Sequence, residues 1–169
     1  KMPVDPKAVK LPEVKEYLEQ TFRPIAEHKS LEFQTSRTKR TPVEMFTDEN
    51  RLQQILKNLL SNAFKFTEKG KVSLSIDLVQ SGRTFPMETL NQASSVVAFS
   101  VKDTGIGIPM EKQKLIFKRF EKLNSFTQGT GLGLALCRSI ILHLGGEIGV
   151  ESAPGQGSLF YFTLSDKIE

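Results

Sequence analysis

Residues 49–67 constrain the fold more than any other stretch of this 169-residue chain. Set out at 100° per residue from Asn58, the apolar positions Leu52, Ile55, Leu56, Leu59, Leu60, Ala63 and Phe66 fall between about 60° and 200°. A helix with so broad a stripe must bury it against another layer. Asp48 is a ready N-cap, although Arg51 three positions on leaves a capping box incomplete. Around this helix the spacing predicts strands at 8–11, 71–79, 96–101, 147–152 and 158–164. A first helix is expected over 14–26, on Val14, Tyr17, Leu18, Phe22 and Ile25, with Pro24 kinking or ending it. Residues 31–35 and 43–47 read as two strands of a hairpin joined by a solvated basic turn. Residues 80–94 read as a long loop, 111–128 as helix and loop, and a further helix opens at the glycines of 129–134 and runs to about 144. Strands interleaved with helices in this order predict an α/β fold. It is a two-layer sandwich, a mixed sheet of about five main strands covered on one face by about three helices.

Composition narrows the class. At 38 % apolar and 25 % charged residues, the chain suits a globular protein and not a disordered or fibrous one, and its length suits a single domain over 1–169. No run approaches the roughly 18 apolar residues of a membrane-spanning helix. Cys137 is the only cysteine, so no internal disulfide forms, and with only His28 and His143 beside it no zinc spacing exists. A reducing, cytoplasmic setting is the expectation. The net charge of +4 admits an anionic ligand. The basic residues are scattered, however, and the densest run, Arg37, Lys39 and Arg40, is too short for a nucleic-acid arm.

Three features carry chemistry. Asn58, Asn62 and Lys65 fall at about 0°, 40° and −20°, a polar line along the edge of the apolar stripe. Asparagine is a poor mid-helix residue. Its amide oxygens are hard ligands of the kind Mg²⁺ accepts alongside substrate phosphates, and a lysine reaches phosphate as a point charge. Taken alone, this line reads equally as a solvated polar face. The second feature, Asp103-Thr-Gly-Ile-Gly-Ile-Pro109, follows a strand and offers a carboxylate to an exocyclic amine such as that of adenine. Gly105 and Gly107 let backbone approach a flat ligand, or simply make a tight turn. The third, Gly129-Thr-Gly-Leu-Gly-Leu134, opens a helix whose free N–H groups suit phosphate, or is simply a flexible lid rich in glycine. Its spacing is neither the dinucleotide fingerprint nor a Walker A loop. Between these clusters, Phe117 and Phe120 are expected to pin the segment to the body, and Lys118, Arg119 and Lys122 add cations.

In this order, with Phe117-Lys-Arg-Phe120 between the glycine clusters, the motifs resemble the N, G1, F and G2 boxes of the catalytic, ATP-binding domain of bacterial sensor histidine kinases. The resemblance extends to the closing hairpin around Gly155-Gln-Gly157-Ser-Leu-Phe and covers essentially the whole chain. It implies the α/β sandwich shared with gyrase, mismatch-repair and chaperone ATPases (the GHKL fold), and ATP and Mg²⁺ as ligands. Asn62 would be the main Mg²⁺ ligand with Asn58 assisting, Lys65 would contact phosphate, and Phe66 would cover the nucleotide. Asp103 would take the adenine amine, with Gly105, Gly107 and Ile108 around the base. Gly129, Thr130, Gly131, Leu132 and Gly133 would form the hinge and backbone of a lid over the triphosphate. Lys122, and after it Arg119, would stand near the terminal phosphate.

The implied reaction is transfer of the γ-phosphoryl group to a histidine on a dimerisation and phosphoacceptor domain of the same protein, with a response regulator downstream. This chain would then be a monomer, nearly inactive alone, touching neither nucleic acid nor membrane. The acceptor pattern, a helical-hairpin histidine followed by an acidic residue, is missing: His28 lies in Glu27-His-Lys29 and His143 closes a helix. Alternatives are a GHKL-type ATPase, an anti-sigma-like serine kinase and a non-catalytic nucleotide sensor. Hydrolysing relatives need a general-base carboxylate beside the metal, where this chain has Asn58.

Overall fold

The computed structural model describes residues 3–79, 83–117 and 132–168. In chain order the elements are β1 (Lys7–Lys10), α1 (Leu11–Lys29), β2 (Glu32–Arg37), β3 (Glu44–Thr47), α2 (Glu49–Lys65), β4 (Lys71–Leu78), α3 (Glu88–Asn91), β5 (Val96–Asp103), α4 (Met110–Gln113), α5 (Leu132–His143), β6 (Glu147–Ser152) and β7 (Ser158–Ser165). The main sheet has five strands in the order β2-β4-β5-β7-β6, with β2 parallel to β4 and every other pair antiparallel.

Alternation along the strands decides which face is covered. Val72, Leu74 and Ile76 of β4, Val97, Phe99 and Val101 of β5, and Phe160, Phe162 and Leu164 of β7 are all buried. The register lines them up: Leu74 lies opposite Val101 and Val101 opposite Phe160, while Ile76 lies opposite Phe99 and Phe99 opposite Phe162. The rings of Phe99 and Phe162 stack with centroids 4.8 Å apart. Ser73, Ser75, Ser100 and Lys102 point to the other, less covered face. Helices α1, α2 and α5 lie on the buried side. No helix among the described residues is long and apolar enough to cross a membrane.

Helix α2 begins as expected: Asp48 accepts the N–H of Arg51 at 3.1 Å. Its buried side is Leu52, Ile55, Leu56, Leu59, Leu60, Ala63 and Phe64. Phe66 is thus not the last member of the stripe. The helix ends at Lys65, leaving Phe66 half-exposed at the C-cap, and Phe64 takes the buried place. It stacks on Phe22 at 5.7 Å and meets Phe33 edge-on at 5.3 Å, joining α2 to α1 and β2.

Two further expectations fail for local reasons. Pro24 does not end α1, which runs on to Lys29 and closes on Ser30 in the left-handed conformation (φ 58°). Leu18, Phe22 and Ala26 hold the helix to the core on both sides of Pro24, which is exposed, so water can satisfy the backbone carbonyl that proline leaves without its helical donor. Nor do residues 31–35 and 43–47 pair as a hairpin. β2 joins the main sheet beside β4, while β3 pairs with β1 in a separate two-stranded sheet. The basic turn is drawn to β4, where the Arg40 guanidinium bonds Asp77 at 3.0 and 3.3 Å and the Thr38 N–H bonds the Ile76 carbonyl. The 80–94 excursion is more than a loop. It contains α3 and buries Phe85 and Leu90 with Val96 in a small core of their own.

Candidate functional site

Asp103 is the last residue of β5, and its parity with Phe99 and Val101 aims its side chain at the helices. It is 6 % exposed. One carboxylate oxygen accepts the Gly105 N–H at 2.8 Å. Burial pushes its pKa above the ordinary carboxylate value, outweighing the backbone N–H groups of Gly105 and Ser158, which favour the charged form. The hydroxyl of Thr67, fully buried, faces the same carboxylate without closing a bond of normal geometry.

Above this carboxylate lies a cavity of about 360 Å³, part of it open to solvent, lined by Asn62, Ala63 and Phe66 from the end of α2, Ile106, Gly107 and Ile108 from the loop after β5, Leu134 of α5, and Ser158 and Phe160 of β7. An apolar lining with few polar groups is the usual character of small-molecule sites. Asp103 is the one carboxylate in the lining described. Isolated, buried and already bonded on one oxygen, it suits a flat apolar ligand that brings a single N–H donor.

The glycines of this loop serve the protein's own packing. A Cβ on Gly107 (φ +74°) would meet the Ala153 carbonyl oxygen at 1.9 Å, and one on Gly105 would meet that of Phe66 at 2.2 Å. Gly107 and Ile108 line the cavity; Gly105 stands behind it, holding Asp103.

Along α2, Asn62 lines the cavity and Asn58 lies one turn earlier, half-buried, its Oδ1 3.5 Å from where a Gly133 Cβ would stand. The N-terminal turn of α5 therefore packs directly over the asparagine line. Lys65 is exposed, its ammonium 5.9 Å from the Phe66 ring centre. A cation here would take amide oxygens: no group of three or more His, Cys, Asp or Glu that could hold a metal occurs among the described residues. The thiol of Cys137, buried between α5 and α2, is pushed by burial up to about 12 and is chemically inert. Lys118, Arg119, Phe120, Lys122, Gly129, Thr130 and Gly131 lie outside the described residues, and Leu132 enters only as the first residue of α5. Phe117 packs edge-on against Phe160 at 6.3 Å, the pinning role expected of it.

The sequence left Thr67, Ile106, Ser158 and Phe160 without roles. Only Ser158 carried a legible signal, a polar residue where the alternation Phe160, Phe162, Leu164 calls for an apolar one. The register sets it opposite Asp103.

A mixed five-strand sheet under three long helices, open at the end of its central strand, defines an α/β sandwich of the GHKL type. Residues 47–168 match the family described as histidine kinase-, DNA gyrase B- and HSP90-like ATPase, and the chain belongs to that family. It is 36 % identical over 151 residues to the autoinducer 2 sensor kinase/phosphatase LuxQ of Vibrio vulnificus, which covers 87 % of this chain and 17 % of LuxQ. It is 44 % identical over 123 residues to the adaptive-response sensory kinase SasA of Crocosphaera subtropica, covering 71 % of this chain and 29 % of SasA. The chain thus spans under a third of these relatives. Full-length ShkA, solved in complex with AMPPNP, superposes with a TM-score of 0.80 at 31 % identity, over 96 % of this chain and 31 % of ShkA. The catalytic domain of histidine kinase ThkA gives 0.76 at 28 % identity, over 96 % of this chain and 97 % of that domain. The chain is accordingly an ATPase-family domain of the histidine-kinase type.

Proposed function

We propose that the chain binds Mg²⁺·ATP in this cavity and donates the γ-phosphoryl group to a histidine on a separate helical phosphoacceptor domain of its parent protein. A response regulator would receive it in turn, in the cytoplasm. Asp103 accepts the N–H of the adenine amine, and Ile106, Ile108, Phe160 and Leu134 enclose the ring and exclude water. Phe66 covers the nucleoside and Lys65 meets a phosphate. The amide oxygens of Asn62 and Asn58 hold Mg²⁺, which when bound offsets phosphate charge. By the family resemblance, Gly129, Thr130, Gly131, Leu132 and Gly133 would bring backbone over the triphosphate, and Lys122, and after it Arg119, would serve its terminal phosphate. Phosphoryl transfer asks a protein mainly for position and charge, and these residues supply both.

One observation carries this reading: the buried Asp103 carboxylate at the floor of an apolar cavity. The same lining favours transfer over hydrolysis. Among the described lining residues the only carboxylate is Asp103, assigned here to the base, and none of them is a carboxylate beside the asparagines to activate water. Likeness to ShkA, which was solved with AMPPNP, supports the nucleotide.

Calorimetric titration with a non-hydrolysable ATP analogue, with and without Mg²⁺, tests the reading. Binding should weaken with Asp103→Ala and lose its Mg²⁺ dependence with Asn62→Ala. A supplied phosphoacceptor domain should then become labelled on histidine. Wild-type binding that neither substitution alters would overturn the assignments, and ATP hydrolysis without transfer would overturn the reaction.

A further inference from the structure

Two side chains outside the cavity hold one of its walls. Gln113, the last residue of α4, donates from Nε2 to two backbone carbonyls at once, Ile108 at 2.9 Å and Ser152 at 2.7 Å. The Ser152 hydroxyl accepts the Ile108 N–H at 2.8 Å and donates to the Gly157 carbonyl at 2.8 Å. Its single proton being thus used, its contact with Ser158 Oγ, also 2.8 Å, has Ser158 as donor. Both backbone groups of Ile108 are therefore held by these two residues, and Ser158 is tied to the same hydroxyl. Ile108 and Ser158 line the cavity, whereas Gln113 and Ser152 do not. The Gly155 N–H closes the junction on the Ile106 carbonyl at 2.8 Å, and the Ala153 carbonyl occupies the space over Gly107.

From this geometry we infer that Gln113 and Ser152 are positioning residues for nucleotide binding: together they clasp the loop after β5 to the β6–β7 turn and set the wall that faces α2. The inference rests on the nucleotide reading of the cavity. Ile108 is anchored at both its N–H and its C=O, so the wall cannot move away from Asp103 without breaking a bond to one or the other. Gln113 acts only as a donor, between two acceptors. The isosteric Gln113→Glu places carboxylate oxygen against carbonyl oxygen, while Gln113→Lys keeps a donor. Ser152→Ala removes the hydroxyl that joins Ile108 to Ser158, and is the milder change should Gln113→Glu fail to fold.

The test is titration of the wild-type chain and the three variants with ATP and with ADP, alongside thermal melting. Gln113→Glu and Ser152→Ala should each weaken both nucleotides by the same factor, about tenfold, because the base wall serves both equally. Gln113→Lys should bind within about threefold of wild type. Melting without nucleotide should show each variant still folded at the temperature of the titration. Unchanged affinities, a loss confined to ATP, or a lysine variant as weak as the glutamate would each overturn the clasp. A wild-type chain that binds neither nucleotide would instead overturn the nucleotide reading, and the clasp with it.

Discussion

Asp103 is held where its charge is costly, since burial raises its pKa against two N–H groups that favour ionisation. The folded state therefore holds this proton more tightly than the unfolded one. Its contribution to stability falls as pH rises through the interval between the ordinary and the raised value, and stays lost above it. Asp103→Asn removes that charge at constant shape, so thermal melting at neutral pH should show a more stable protein. A ligand N–H donated to the carboxylate favours the ionised form. ATP affinity should therefore decline as pH drops into the same interval, and calorimetry in buffers of different ionisation heat should detect proton release on binding there. Gly107 is a residue-scale constraint of another kind. Gly107→Ala meets both a φ of +74° and the Ala153 carbonyl at 1.9 Å. It should cost about 1–3 kcal/mol in denaturant unfolding and disturb the cavity wall as well.

At the scale of elements, the end of α2 separates stability from binding within three residues. Phe64 is locked between Phe22 and Phe33, so Phe64→Ala should cost about 3–5 kcal/mol, read from urea unfolding. Phe66, half-exposed at the C-cap and lining the cavity, should cost far less on truncation and weaken ATP instead. The helical spacing of the sequence could not make this distinction, because where α2 stops decides it, and a cap at Phe66 leaves no mark in the hydrophobic period. What the period could show, it did: the stripe from Leu52 to Ala63, the N-cap at Asp48 and the polar line of Asn58 and Asn62 are all present. Strand partners were less legible. Residues 31–35 and 43–47 are both strand-like, but their pairing depends on β4 and β1, far away in sequence, and local pattern favours the nearest hairpin. The clasp of Gln113 and Ser152 was likewise silent, being 39 residues apart and made through backbone carbonyls.

At the scale of the whole molecule, one face of one sheet organises everything. The row of apolar residues that seats the three long helices ends in Asp103, so the packing that stabilises the domain also delivers a carboxylate into a largely apolar cavity. Ligand binding and folding are thereby coupled: ATP at about 100 times its Kd should add about 2.7 kcal/mol to unfolding, seen as a melting temperature that rises with nucleotide concentration. The order of motifs in the sequence foretold this architecture because the end of α2, the end of β5 and the first turn of α5 meet at one cavity, through Asn62, Asp103 and Leu134.

Recognition of an adenine amine by Asp103 is tested most directly by base selectivity. Titration of wild type and Asp103→Asn with ATP and GTP should show wild type preferring ATP, since the carboxylate accepts from an amine and repels the guanine carbonyl. The asparagine variant can turn its amide N–H to the base. It should lose at least about tenfold in ATP affinity while GTP is held or gained. An Asp103→Asn chain that binds ATP as tightly as wild type, with the same preference over GTP, would contradict the claim.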